Sequence, residues 1–233
     1  MVKRFVFLTL PAFQRLAGLN DWLLKHLKNE NMKIVPIEEG RFYHIYNRGI
    51  NSCDLFTETE NYRYFLDLYG KYIDPIAHTY AWCLMRNHFH LFVYIKNEDE
   101  IQKSLLSYHT TDKPKQINAS RQFSHLFNSY SLAFNKRNNR TGSLFEKPFE
   151  RKRVDSMHYF RQLIYYIHNN PVHHGLTDKL QDYAWSSYGT VISQKPTRLK
   201  REDVICFFDS VSNFIDYHNQ EHDNSLIEGL IID

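Results

Sequence analysis

The chain has 233 residues, 42% hydrophobic and 24% charged, the balance of a soluble globular protein that builds a core as one domain with extensions or as two small ones. Its three cysteines, Cys53, Cys83 and Cys206, form no C-x-x-C, which excludes a zinc ribbon and a disulfide framework and leaves a reducing cytoplasm as the expected compartment. No run reaches membrane-spanning length, and the apolar start is too short for a signal peptide and is stopped at Pro11.

Net charge is +3, which decides little, but its distribution is uneven. Residues 112–153 carry ten basic and three acidic side chains, netting +7; residues 200–233 carry two basic and eight acidic ones, netting −6. A basic middle and an acidic tail point to nucleic acid as partner. Aromatic side chains, 15% of the chain, serve core packing or base stacking.

In chain order, residues 1–34 suggest an arm and a helix carrying Leu16, Leu19, Leu23, Leu24 and Leu27, a packing or dimerisation extension without a chemical motif. Phe42 to Arg48 reads as a strand closed by a turn at Gly49. Thr57 to Ile73 has helical periodicity, with Thr57 or Thr59 as cap. Two strands follow, Ala77 to Met85 and Asn87 to Tyr94, joined by a tight turn at Arg86-Asn87. Ile101 to Tyr108 is a helix and 109–118 a polar loop. Ala119 to Asn138 is a strong helix whose apolar stripe carries Phe123, Leu126, Phe127, Tyr130 and Phe134. Phe149 to Val154 is a short basic strand, and Asp155 or Ser156 caps a helix that Pro171 is expected to end. Trp185-Ser186-Ser187-Tyr188 closes the body. Strand, helix, strand, strand, helix, strand is the split βαβ pattern of an α+β, ferredoxin-like sheet with helices on one face. The expected organisation is an N-terminal extension (1–40), a catalytic domain (41–192) and an acidic, helical C-terminal extension (193–233).

The chemistry centres on Asn87-His88-Phe89-His90-Leu91. Side chains alternate along a strand, so His88 and His90 share one face and Phe89 and Leu91 join the core. Two neutral imidazoles one residue apart make a chelating pair for a divalent metal.

These residues do not stand alone. His88-Phe89-His90 on the third strand, Tyr130 to Glu146 (Y-S-L-A-F-N-K-R-N-N-R-T-G-S-L-F-E), Tyr166-Ile167-His168-Asn169-Asn170-Pro171-Val172, Tyr43-His44-Ile45-Tyr46-Asn47-Arg48-Gly49 and Trp185-Ser186-Ser187-Tyr188 together resemble the single-tyrosine HUH transposases, and within them the REP-associated tyrosine transposases. The resemblance spans roughly 41–192. It implies metal-dependent cleavage and strand transfer of single-stranded DNA near hairpins, through a 5′-phosphotyrosine intermediate, by a protein that can act as a homodimer. The family pattern places the nucleophile at Tyr130, although the glycine of that pattern falls later, at Gly142. The resemblance implies Mg²⁺ or Mn²⁺ on His88 and His90, with a third polar ligand from the tyrosine helix. Phe134 stands one turn after Tyr130 and cannot ligate, so Asn135 is the nearest candidate, with Gln122, Asn128 and Glu146 behind it. Arg48, Lys136, Arg137, Arg140, Arg151, Lys152 and Arg153 are the expected DNA contacts. Two rivals stand beside this reading: a non-catalytic module gripping nucleic acid on its sheet, and a metal-dependent phosphodiester hydrolase that uses water in place of Tyr130.

Overall fold

The structure, a computed structural model, describes residues 35–108, 117–146, 148–220 and 222. The expectations for 1–34, most of the 109–118 loop and the end of the acidic tail fall outside the described residues. Four strands, β1 (Phe42–Arg48), β2 (Ala77–Leu84), β3 (His88–Ile95) and β4 (Glu150–Val154), form one sheet in the order β2-β3-β1-β4. Every pairing is antiparallel. Among the described residues the helices are α1 (Thr59–Tyr72), α2 (Glu98–Tyr108), α3 (Ala119–Arg137), α4 (Met157–His173), α5 (Tyr188–Ile192), α6 (Arg201–Phe207) and α7 (Val211–His218). This is the expected α+β fold with its split βαβ sheet.

Strand alternation divides the core in two. Tyr43, Ile45, Phe89, Leu91 and Val93 point to one face and meet Phe65 and Leu68 of α1 and Phe123, Leu126, Phe127 and Tyr130 of α3. Phe92, Cys83 and Val154 point to the other and meet Phe160, Leu163, Ile164 and Ile167 of α4. The two helices of the split βαβ pattern thus share one face, and α4 closes the opposite one. Each buried aromatic or aliphatic side chain contributes about 1.5–3 kcal/mol relative to exposure, so both layers hold the sheet.

Local chemistry sets the helix ends. Glu58, rather than Thr57 or Thr59, caps α1, in a reciprocal box with Asn61. Ser156 caps α4 by accepting from Tyr159 N at 3.2 Å. Pro171 does not end α4, which continues to His173. The proline forfeits only the bond its own N–H would make to Ile167 O, and the helix runs just two residues beyond it. Trp185 to Ser187 line the free edge of β2, through Leu84 N to Trp185 O and Ser187 N to Trp82 O, both 2.9 Å. The acidic C-terminal segment carries more packing than its weak periodicity suggests: Val204, Phe208 and Phe214 are buried against the α4 layer.

Candidate active site

His88 and His90 share a face, and that face is the one covered by α4. Their ring centroids lie 5.2 Å apart. Opposite them stand Tyr166 and Asn170, one helical turn apart on α4 and therefore on the same side of it. The Tyr166 ring meets His90 edge-on at 5.2 Å, and Asn170 Oδ1 lies 3.1 Å from His88 Nε2. His174, the C-cap of α4, brings its ring within 5.2 Å of His88. A third histidine joins from β1: His44 Nε2 is 2.9 Å from His90 Nδ1, with the rings stacked at 22°.

Burial sets the protonation. His44 and His90 are fully buried and His88 is 4% exposed. Desolvation lowers the pKa of His88 to about 4 and that of His44 to about 3, and it holds that of His90 well below the usual imidazole value, helped by repulsion from His44 and His88. All three are neutral at pH 7. Neutral His88 has one N–H. That N–H can serve Asn87 Oδ1 from Nδ1 at 2.8 Å or Asn170 Oδ1 from Nε2 at 3.1 Å, but not both; donation to Asn87 leaves a lone pair on Nε2 facing Asn170 Oδ1. Two acceptors then face each other, which either a rotated Asn170 amide or a cation between them relieves. Among the described residues, His90 Nε2 and Asn170 Nδ2 are buried without a partner. Two imidazole nitrogens and an amide oxygen form a donor set suited to Mn²⁺, and to Mg²⁺ when substrate phosphate and water complete the shell. Among the described residues no group of three or more His, Cys, Asp or Glu side chains stands in metal-holding geometry; the amide oxygen is the third donor this site offers.

The structure does not bring Tyr130 to the histidines. Tyr130 is on α3, across the sheet, 1% exposed, with its ring against Phe56, Phe65, Phe134 and Phe145. Its hydroxyl donates to the Leu55 carbonyl. Burial raises its pKa, which makes the phenol a poorer nucleophile. The reason is alternation: Tyr130 packs in the cluster that holds Phe89, and Phe89 faces away from its histidine neighbours. Asn135 lies on the same helix, donating to Gly142 O at 2.9 Å and accepting from Arg140 at 3.1 Å. Gln122 and Asn128 are on α3 as well.

The basic residues divide likewise. Arg48 is the β1 partner of His88 in the ladder and lies 3.8 Å from Glu146. Lys152 stands opposite His44 on the histidine face. Arg151 and Arg153 point to the α3 face, where Arg151 donates to Ser120 at 3.2 Å and covers the Phe149 ring, and Arg153 pairs with Asp155 and Glu38. Arg137 pairs with Glu58, and Lys136 is exposed at the end of α3. A cavity of about 900 Å³ also lies on the α3 side, lined by Ser124, Asn128, Ser131, Asn135 and Arg151. Its only ionisable groups among the described residues are Glu146 and Arg151, so the buried histidine cluster is the better chemical site.

No protein-family model matches the chain, and no curated protein matches it. Solved structures align with it to different extents. A REP-associated tyrosine transposase bound to a REP hairpin superposes with a TM-score of 0.54 at 15% identity, covering 71% of this chain and 88% of that one. A bacterial tRNA(His) guanylyltransferase (Thg1)-like protein in complex with GTP aligns with a TM-score of 0.36 at 12% identity, covering 71% of this chain and 79% of that one. At such identity the first likeness establishes the shared fold. Among the described residues no helix is long and apolar enough to cross a membrane.

Tyr166, Asn170 and His44 lie inside motifs that carry the resemblance, but the sequence alone gives them no site role. A signal for the first two is present as Tyr166-x-x-x-Asn170: a polar Asn one turn from a Tyr, on a helix otherwise striped with Leu163, Ile164 and Ile167.

Proposed function

We propose that this chain cleaves and rejoins single-stranded DNA, next to hairpins, with Tyr166 as the nucleophile and His88, His90 and Asn170 as the residues that hold a divalent cation, Mg²⁺ or Mn²⁺. The observation that carries this is the pairing of Tyr166 and Asn170, one turn apart on α4, against both histidines. When bound, such a cation supplies charge neutralisation and polarisation of the scissile phosphate. The phenol oxygen of Tyr166 attacks phosphorus and the P–O3′ bond breaks; the phenol gives up its proton to solvent and the leaving 3′ oxygen takes one from solvent, so no net proton is consumed or released. The product is a 5′-phosphotyrosine. One phosphodiester replaces another, so an incoming 3′-OH reverses the step and joins strands. Arg48 and Lys152, on the histidine face, contact flanking phosphates. The hairpin and the strand-transfer outcome rest on the resemblance to the REP-associated transposases and on the hairpin bound by the neighbour of similar fold.

The test is Tyr166→Phe with a hairpin-flanked single-stranded oligonucleotide and Mn²⁺. Wild type should yield a protein–DNA adduct on a denaturing gel and a 3′-OH fragment. Tyr166→Phe should bind the oligonucleotide and yield neither. Cleavage by wild type without any adduct would support the hydrolase instead.

A further inference from the structure

His44 belongs to a strand motif, and the proposed reaction does not use it. In the β1–β3 ladder His90 is directly opposite Tyr46, and His44 is opposite Phe92. His44 and His90 are therefore diagonal neighbours on one face, within reach of two imidazole rings. The result is the 2.9 Å contact between His44 Nε2 and His90 Nδ1, both fully buried, with the Tyr46 ring stacked on His44 at 4.6 Å and 5.9 Å from His90.

Two neutral imidazoles joined by one hydrogen bond hold one proton between them. If His44 donates, His90 accepts at Nδ1 and must carry its own proton on Nε2, which then cannot ligate. If His90 donates from Nδ1, its Nε2 is a bare lone pair. That Nε2 has no partner among the described residues, and neither has His44 Nδ1, which carries the His44 proton in this arrangement; almost every buried polar atom has a partner, and a cation would supply one to His90 Nε2. A metal-ligating histidine is usually held by an acceptor on its other nitrogen, which fixes tautomer and ring orientation. At His90 Nδ1, His44 is the group that fills that place.

We propose that His44 is a positioning residue, whose Nε2 accepts the Nδ1–H of His90 and so holds that ring in the tautomer that leaves His90 Nε2 free for a cation. This rests on the proposed reading of His88 and His90 as cation-holding residues. It adds a distinct element, a histidine in the role that a carboxylate or backbone carbonyl more commonly plays.

The test is calorimetric titration of the full chain with Mn²⁺, without DNA. His44→Phe keeps an aromatic ring against Tyr46 and removes the acceptor. His44→Gln places an amide oxygen near the position of Nε2, and His44→Asn places one nearer Nδ1, out of reach. His44→Phe and His44→Asn should weaken Mn²⁺ binding by about 10–100-fold, and His44→Gln should recover most of the loss. Circular dichroism checks folding, and the Gln/Asn pair decides the matter if the Phe variant does not fold. Wild-type affinity in His44→Phe, or equal losses in the Gln and Asn variants, would overturn the assignment. Failure of the wild type to bind Mn²⁺ would overturn the cation reading itself, and this inference with it.

Discussion

Tyr130→Phe removes one oxygen from the α3 layer and leaves its ring in place. In the folded chain that oxygen donates to the carbonyl of Leu55, a fully buried residue. Taking the donor away leaves that carbonyl unsatisfied in the core, and an unsatisfied buried acceptor costs about 1–3 kcal/mol. The packing against Phe56, Phe65 and Phe145 survives, so no cavity adds to this. For a unit of this size the loss corresponds to roughly 2–4 °C in Tm per kcal/mol. Urea unfolding followed by circular dichroism measures it, with an unchanged m-value. The same protein, assayed below its unfolding range with Mn²⁺ and single-stranded DNA, should form the adduct at close to the wild-type level. A variant with wild-type stability and no adduct would refute the reasoning, because the hydroxyl would then serve chemistry and not the Leu55 carbonyl.

Acid should act through the buried histidines. His88 titrates at about 4 in the folded chain against 6.5 unfolded, so the unfolded state takes up the proton first as pH falls. Stability is full above about pH 6.5 and is lost between there and pH 4, on the order of 3 kcal/mol from His88 alone; a urea midpoint that stays flat from pH 7 to 4 would contradict this. Salt separates the two faces of the sheet. Arg48→Ala/Lys152→Ala should weaken single-strand binding and lower the salt slope by about 0.7 for each phosphate that is no longer neutralised. Arg151→Ala/Arg153→Ala should leave the slope unchanged, and the reverse pattern would move the DNA to the α3 side.

The sheet is legible in the sequence because its signals are local. Alternation in His88-Phe89-His90-Leu91 divides the strand into a histidine side and a core side, and the turn at Arg86-Asn87 fixes the hairpin. Which helix covers which side is not legible. The apolar stripes of α3 and α4 are alike, with Phe123, Leu126 and Phe127 on one and Phe160, Leu163 and Ile164 on the other, and periodicity does not say which face of a sheet a stripe will meet. A motif position alone therefore points to Tyr130, while the tertiary arrangement turns it into the core. His44 is hidden for a related reason: its contact with His90 depends on the register of β1 against β3, which only the paired strands reveal. The C-terminal helices leave little trace because α6 and α7 are short, and a few buried residues, Val204, Phe208 and Phe214, give little periodicity.

The most direct measurement is the identity of the tyrosine that carries DNA. Wild-type protein would be incubated with Mn²⁺ and a hairpin-flanked single strand, the adduct trapped by denaturation, the DNA trimmed by nuclease, and the protein digested and mapped by tandem mass spectrometry. The account predicts a nucleotide phosphate on Tyr166, in the peptide that begins after Arg161. The same modification on Tyr130, with Tyr166 unmodified, would contradict it.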